Sequence, residues 1–359
     1  MTNRRFLIAS GGTGGHFYPG FSLGKQLQNE GSEVLFVVRR KDAAIPVLQQ
    51  NHLPYREIDC IGFPRSINPK RQFHFFRQFY HALCQTRQII REFRPDVIVG
   101  TGGYISFPLV FVGHFCSIKT AVHDSNARLG LANALCSRFS DVLLLGLPLA
   151  GKKCASRRTE LIGTPIRPEF ASPIKREEIF HSLGLSAGKP TVLVMGGSQG
   201  AKNLNNAVIE LAKQYPSWQF IHLTGPRWYQ TVKEAYSNLP QVAVLAYSHE
   251  VYNLMKVADL MICRSGASTL AELFACRLPA ILVPFPHAAG NHQYFNAKIF
   301  EQAGCGRIVL DNEQLQIALH NVFEETAPKT AALRQSYEQL HLPDPLTAAE
   351  RIATRLREL

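Results

Sequence analysis

The residue types that could do chemistry in this chain gather in four glycine-rich loops, each following a short apolar run. Phe6-Leu7-Ile8-Ala9-Ser10 leads into Gly11-Gly12-Thr13-Gly14-Gly15-His16, and Asp96-Val97-Ile98-Val99-Gly100 into Thr101-Gly102-Gly103-Tyr104. In the second half Thr191-Val192-Leu193-Val194-Met195 runs into Gly196-Gly197-Ser198-Gln199-Gly200, and Asp259-Leu260-Met261-Ile262-Cys263 into Arg264-Ser265-Gly266-Ala267-Ser268-Thr269. A strand turning through glycine into a helix presents free N–H groups and the positive end of the helix dipole, a ready site for phosphate. One such loop is unremarkable, because tight turns need glycine for positive φ whatever their function. Four at corresponding places in two halves exceed what packing requires. None is a P-loop, since no Gly-Lys-Ser/Thr follows a GxxxxG spacing. The first is not GxGxxG in register. The second apolar run ends Val37-Val38-Arg39-Arg40-Lys41, without the acid that would hold a ribose, so NAD is disfavoured.

The elements that must position these loops are strands and helices in alternation. Continuous apolar runs at 6–10, 33–39, 96–100, 121–122, 142–145, 191–195, 219–223, 260–263 and 280–283 read as strands buried on both faces of parallel sheets. Helices fit between them. One is expected over 19–30, with Pro19 in its first turn and Gly31 just past its end. The fold class is therefore α/β, doubly wound, with two similar domains in tandem. The basic, proline-marked stretch 151–168 reads as the approach to a hinge, and a last helix follows Pro345.

With 359 residues, 46% of them apolar and 18% charged, the chain has material for two packed cores, which excludes disordered, collagenous and coiled-coil classes. No apolar run reaches the roughly 18 residues of a spanning helix. The first run is too short for a signal-peptide core, so the expected location is the cytoplasm. Eight cysteines without a Cys-x-x-Cys pair read as buried small hydrophobes, with no metal site implied. The net charge of +12 is uneven: between Arg65 and Arg94 seven Lys/Arg face one acid, Glu92, giving half the excess among Phe63, Phe73, Phe75, Phe76, Phe79, Tyr80 and Phe93. Such a chain seeks nucleic acid, an anionic membrane or phosphorylated substrates. Nucleic acid is disfavoured, because the charge lies among clustered phenylalanines and no nucleic-acid motif is present.

The four loops, with His123-Asp124-Ser125-Asn126, Gly163-Thr164-Pro165-Ile166-Arg167 and Asn291-His292-Gln293 in the same order, carry a resemblance over nearly the whole chain. The chain resembles the bacterial UDP-N-acetylglucosamine:lipid I N-acetylglucosaminyltransferases of peptidoglycan synthesis, in glycosyltransferase family 28. The resemblance implies the GT-B architecture, two Rossmann-like domains facing a deep cleft. It implies an N-terminal acceptor and membrane-docking domain at 1–163, a UDP-N-acetylglucosamine domain at 164–340, and a C-terminal helix at about 341–359 packing back on the first. The activity it implies is inverting transfer of N-acetylglucosamine to the muramyl 4-hydroxyl of lipid I, giving lipid II, with no cofactor. Partners would be UDP-N-acetylglucosamine, lipid I, anionic phospholipids and other cell-wall and division proteins, at the cytoplasmic face of the inner membrane.

Nucleotide-sugar contacts implied by the resemblance fall on Thr13, Gly14, Gly15, Asn126, Arg167, Ser198, Ser248, Ala267, Ser268, Thr269, Leu270, Ala271, Glu272 and Gln293. Glu272 would take the ribose hydroxyls, Gln293 the sugar, and the Ser248 backbone the uracil. For Glu272 the alternative is a helix-N-terminal acid favoured by the dipole. A departing diphosphate needs its developing charge stabilised. With no Asp-x-Asp for a metal, that task falls to helix N-termini, Ser198, Thr269 and Arg167, with Arg264 a further phosphate contact; Arg167, between two prolines, could equally be a solvated hinge residue. His16 is the candidate base, as imidazole titrates near neutrality; the alternative is a residue that caps the helix or faces phosphate. The family has Glu-Gln where this chain has Asp124-Ser125, so a catalytic role does not carry over to Asp124. Lys70, Arg71, Phe73, Phe75, Phe76, Arg77 and Phe79 would dock on membrane, although Phe75 and Phe79 also fall at core spacing. Alternatives are another UDP-sugar transferase with a lipid acceptor, a UDP-N-acetylglucosamine 2-epimerase, or a non-catalytic nucleotide-sugar or nucleic-acid binder.

Overall fold

A computed structural model describes residues 4–12, 14–62, 68–151 and 158–359. Thr13, Phe63, Arg65, Cys154 and most of the 151–158 stretch lie outside the described residues. The chain divides into two compact units, Met1–Arg167 with Pro343–Leu359, and Pro168–Leu342.

The first unit holds β1 (Arg5–Ala9), β2 (Glu33–Arg39), β3 (Tyr55–Ile58), β4 (Val97–Gly100), β5 (Lys119–Asp124), β6 (Val142–Leu145) and β7 (Thr159–Leu161). They form one parallel sheet in the order β3-β2-β1-β4-β5-β6-β7. The second holds β8 (Thr191–Met195), β9 (Gln219–Leu223), β10 (Val242–Leu245), β11 (Leu260–Cys263), β12 (Ala280–Leu282) and β13 (Gly306–Ile308), parallel in the order β10-β9-β8-β11-β12-β13. The four glycine loops follow β1, β4, β8 and β11, the two pairs at which strand order reverses. That is where ligands bind in doubly wound sheets.

Burial explains which strands the hydrophobic pattern reveals. The nine runs read from the sequence are the nine interior strands. In β1, Phe6 and Ile8 enter one core with Phe21, Leu27 and Phe36, while Leu7 and Ala9 enter the opposite core with Ile90 and Leu109. The edges β3, β7, β10 and β13 are the strands the pattern misses. They are three or four residues long and mostly part-exposed, as in Tyr55–Ile58 and Thr159–Leu161. An edge strand has one hydrogen-bonded neighbour and is kept short, and in β3, β7 and β13 polar residues leave no apolar run to read. β10, Val242-Ala243-Val244-Leu245, is apolar throughout and is the edge strand that polarity does not explain.

The first helix corrects the sequence reading. It runs Gly14–Asn29, so Pro19 lies inside it rather than in its first turn. Proline lacks the N–H that would bond one turn back and tips nearby carbonyls outward. Here Ser10 Oγ donates to the His16 and Phe17 carbonyls, and Thr101 Oγ1 to His16 O at 2.9 Å. Gly20 permits that approach: a Cβ there would lie 2.5 Å from Ser10 Oγ.

The last helix, Ala348–Arg357, packs on this first helix and buries Ile352, Ala353 and Leu356 in the Phe6 core. Burying the Ile and Leu contributes about 1.5–3 kcal/mol each. Arg355 Nε meets Glu160 at 2.9 Å, and Arg351 donates to Ile162 O at 3.0 Å. Among the described residues no helix is long and apolar enough to cross a membrane. Cys60, Cys136, Cys263 and Cys305 are buried as expected, but Cys84, on a helix, and Cys116, in the turn after one, are exposed, where the isolated spacing could not place them.

His222 of β9 is fully buried and fully bonded. Tyr236 Oη donates to its Nδ1 at 2.9 Å, and its Nε2–H donates to Asn205 Oδ1 at 3.1 Å. Burial pushes its pKa down from 6.5 to about 3. In that window the unfolded chain binds a proton that the folded unit refuses. Stability present above pH 6.5 is therefore lost on acidification toward 3. We expect His222→Gln to flatten the stability–pH curve between pH 6 and 4 by about 1.4 kcal/mol per pH unit, measured by denaturant titration; an unchanged slope would refute the assignment.

Candidate active site

A cavity of about 770 Å³ opens in the second unit beyond the ends of β8, β11 and β12. Its floor is the 196–200 loop, where Gly197 and Gly200 have φ of +96° and +73°. A Cβ on Gly200 would lie 1.9 Å from Thr224 O, and one on Gly225 would lie 2.4 Å from Gln199 O. The loops after β8 and β9 thus interlock backbone to backbone, and only glycine fits at either contact. Asn205 Nδ2 donates to Thr224 O at 3.0 Å, tying this junction to buried His222. Ser198 stands exposed on the loop, and the helix Lys202–Gln214 starts beside it with no side chain capping its first turn. Such a terminus attracts anions.

The opposite wall comes from β11 onward. The helix Ala267–Cys276 begins after Gly266, again without a side-chain cap, and Thr269 in its first turn lines the cavity. Ser268 and Ala271 are half-buried, and Ala267 is buried. Leu270 differs from the expectation: its side chain is core and its N–H is bonded to Gly266 O, so it presents nothing polar to a ligand. Glu272 lies in the second turn rather than at the helix start, which removes the N-terminal-acid alternative; it is half-buried. Gln293 reaches the cavity with Oε1 accepting from Phe285 N–H at 2.9 Å, leaving its Nε2 end for a ligand. Ser248, beyond β10, accepts from Glu250 N–H at 3.1 Å and does not line this cavity.

Arg264 also lines the cavity, but its charge is spent. Its Nη2 meets Asp311 at 2.6 Å, with the two side chains 11% and 3% exposed, and Nη1 donates to Val283 O and Pro284 O. It braces the wall as a neutral pair.

In the first unit, Gly14, Gly15 and His16 form the opening turn of the first helix. The His16 ring lies over Gly102, where a Cβ would come within 2.3 Å of Nδ1. Asn126 donates twice to Asp124 Oδ1, at 2.9 Å from its backbone and 3.2 Å from Nδ2. Gly130 N and Asn133 Nδ2 take the other oxygen, so Asp124 organises the loop and has no oxygen left for chemistry. Neighbouring His123 is fully buried; that burial holds its pKa down and its Nε2–H donates to Gly163 O at 2.9 Å. Arg167 lies over the Tyr18 ring at 5.4 Å.

Sequence comparison gives the lineage. Residues 6–144 match the model of the glycosyltransferase family 28 N-terminal domain, and residues 191–350 that of its C-terminal domain. The chain is 47% identical to a UDP-N-acetylglucosamine–N-acetylmuramyl-(pentapeptide) pyrophosphoryl-undecaprenol N-acetylglucosamine transferase of Elusimicrobium minutum, over 99% of this chain and 100% of that protein. This chain belongs to glycosyltransferase family 28. A like-named transferase of Halothermothrix orenii is 35% identical over 89% of this chain and 90% of its own length. The crystal structure of Acinetobacter baumannii MurG matches with a TM-score of 0.78 at 24% identity, covering 99% of this chain and 100% of that one, which supports the two-domain Rossmann-like GT-B fold.

Two features of this family 28 glycosyltransferase escaped the sequence reading. An acid does follow β2: buried Asp42 accepts from Gly12 N–H at 2.9 Å and Ala44 N–H at 3.0 Å. It fixes the first glycine loop, and with both oxygens engaged it is not a ribose acceptor. Only its place beyond Lys41 hid it. The second is the extent of the apolar surface. On the helix Pro69–Phe93, Phe75 stacks on Phe79 and Phe79 on Phe107, each at 5.8 Å, so these two turn inward. Phe73, Phe76 and Tyr80 form the exposed stripe, at 73%, 59% and 69%. Lys70, Arg71 and Arg77 are exposed beside them, and Phe115, Leu131 and Leu135 extend the apolar surface from two further helices.

Proposed function

We propose that this enzyme transfers N-acetylglucosamine from UDP-N-acetylglucosamine to the muramyl 4-hydroxyl of undecaprenyl-diphosphate-linked muramyl-pentapeptide, forming lipid II. The observation that carries this reading is the 47% identity over 99% of the chain to a transferase named for that donor and acceptor. The cavity in the second unit supports it: an uncapped helix start on either side, a glycine loop with an exposed serine, and a sugar-facing amide suit a nucleotide sugar.

In this reading the second unit holds the donor. Glu272 takes the ribose hydroxyls, Ser198 and Thr269 the diphosphate and Gln293 the sugar; the uracil contact at the Ser248 backbone, which lies outside the cavity lining, rests on the resemblance alone. The first unit serves the acceptor, while its Gly14, Gly15 and Asn126 stay the nucleotide-sugar contacts that the resemblance implies and Arg167 assists at the phosphates. His16 takes the proton from the attacking hydroxyl, whose oxygen displaces UDP from the anomeric carbon with inversion. UDP leaves as the diphosphate gathers charge, stabilised by helix ends and cations rather than a metal. Removing a base of this kind costs about 10²–10⁴-fold in turnover. We therefore expect His16→Ala to lower kcat by about two orders of magnitude with UDP-sugar affinity nearly intact, and Glu272→Ala to weaken UDP-sugar binding in calorimetry. Full turnover in His16→Ala would overturn the base assignment.

The acceptor is membrane-borne, so the enzyme docks peripherally at the cytoplasmic face. Each Lys or Arg near an anionic surface contributes about 1 kcal/mol, and Phe73, Phe76 and Tyr80 enter the interface beside them. Replacing Phe73, Phe76 and Arg77 together is expected to cost at least tenfold on vesicle-borne acceptor while sparing a short-chain soluble analogue. Equal losses on both would contradict docking by this stripe.

A further inference from the structure

The donor cavity has five ionisable residues on its lining: Lys202, Arg227, Arg264, His287 and Asp311. Arg264 and Asp311 cancel as a buried pair at 2.6 Å. Lys202 and Arg227 remain as the permanent cations, and among the described residues neither has a carboxylate within ion-pair distance. The cavity therefore carries two uncompensated positive charges.

Their positions are built, not incidental. Lys202 Nζ lies 5.7 Å and Arg227 Cζ 4.8 Å from the centre of the half-buried Trp228 ring, within cation–π range. Trp228 and Arg227 ride on the Pro226–Trp228 turn, which starts at Gly225, the residue locked against Gln199 of the phosphate loop. One indole thus holds two cations beside a loop suited to phosphate, so little side-chain freedom is lost when an anion arrives.

We propose that Lys202 and Arg227, ordered on Trp228, bind the diphosphate of the donor and take up the charge of the departing nucleoside diphosphate. The role expected of Arg264 passes to them. This rests on the donor reading above.

The test uses the full-length chain carrying Trp218→Phe, which leaves Trp228 as its single indole. UDP, UMP, uridine and inorganic pyrophosphate are titrated, following Trp228 emission and heat. UDP and pyrophosphate should change the emission and uridine should not. Lys202→Gln and Arg227→Gln should each weaken UDP by about tenfold, and the pair by more, with uridine affinity and melting temperature unchanged. The slope of UDP affinity against salt should also fall. A double variant that binds UDP within about twofold of the parent, while Glu272→Ala weakens it, would overturn the proposal and leave the donor reading standing. A folded parent that binds neither UDP nor UDP-N-acetylglucosamine would overturn both.

Discussion

Two glycine backbones in contact set the geometry of the second unit. Where the loops after β8 and β9 cross, Gly200 leaves no room for a Cβ against Thr224 O, and Gly225 none against Gln199. Everything at the donor cavity is referred to that crossing. It fixes the phosphate loop and sets the start of the helix Lys202–Gln214. It also carries Arg227 and Trp228 on a rigid turn. Behind it, Tyr236, His222 and Asn205 form a buried, saturated chain of hydrogen bonds ending on Thr224 O. A network of this kind holds one geometry because every alternative strands a buried polar group. The first unit uses glycine instead to admit a side chain, Ser10 at Gly20 and His16 at Gly102.

Charge is distributed by a second logic. Inside the walls it is cancelled: Arg264 by Asp311, and Arg355 by Glu160. These pairs brace structure and offer no field to a ligand. At the proposed donor cavity and the proposed docking stripe it is left open. Lys202 and Arg227 stand uncompensated at the cavity, and Lys70, Arg71 and Arg77 beside an exposed aromatic stripe. A cation's type and neighbours in sequence do not distinguish these fates, because the cancelling partner of Arg264 is 47 residues away.

What the sequence made legible follows from burial. Interior strands, apolar on both faces, stand out as continuous runs, and the polar edges β3, β7 and β13 do not; apolar β10 is the exception among the edges. The glycine loops were legible because positive φ and close approach demand glycine, and they fall at the two points where strand order reverses. Pro19 misled because hydroxyls from Ser10 and Thr101 dress the helix carbonyls around it, a contact between residues distant in the chain. Leu270 sits among loop residues in sequence yet points into core. Phe75 and Phe79 could be told from Phe73 and Phe76 only once Phe107 was placed against them. The specific chemistry was legible through the order of motifs shared with the family, which spacing alone would not have supplied.

The most direct test is transfer itself. Labelled N-acetylglucosamine supplied as UDP-N-acetylglucosamine, with a short-chain lipid I analogue and excess EDTA, should appear as labelled disaccharide lipid with UDP released in equal amount. Donor bound without any labelled lipid product, or transfer abolished by EDTA and restored by a divalent cation, would contradict a metal-independent transferase acting on this acceptor.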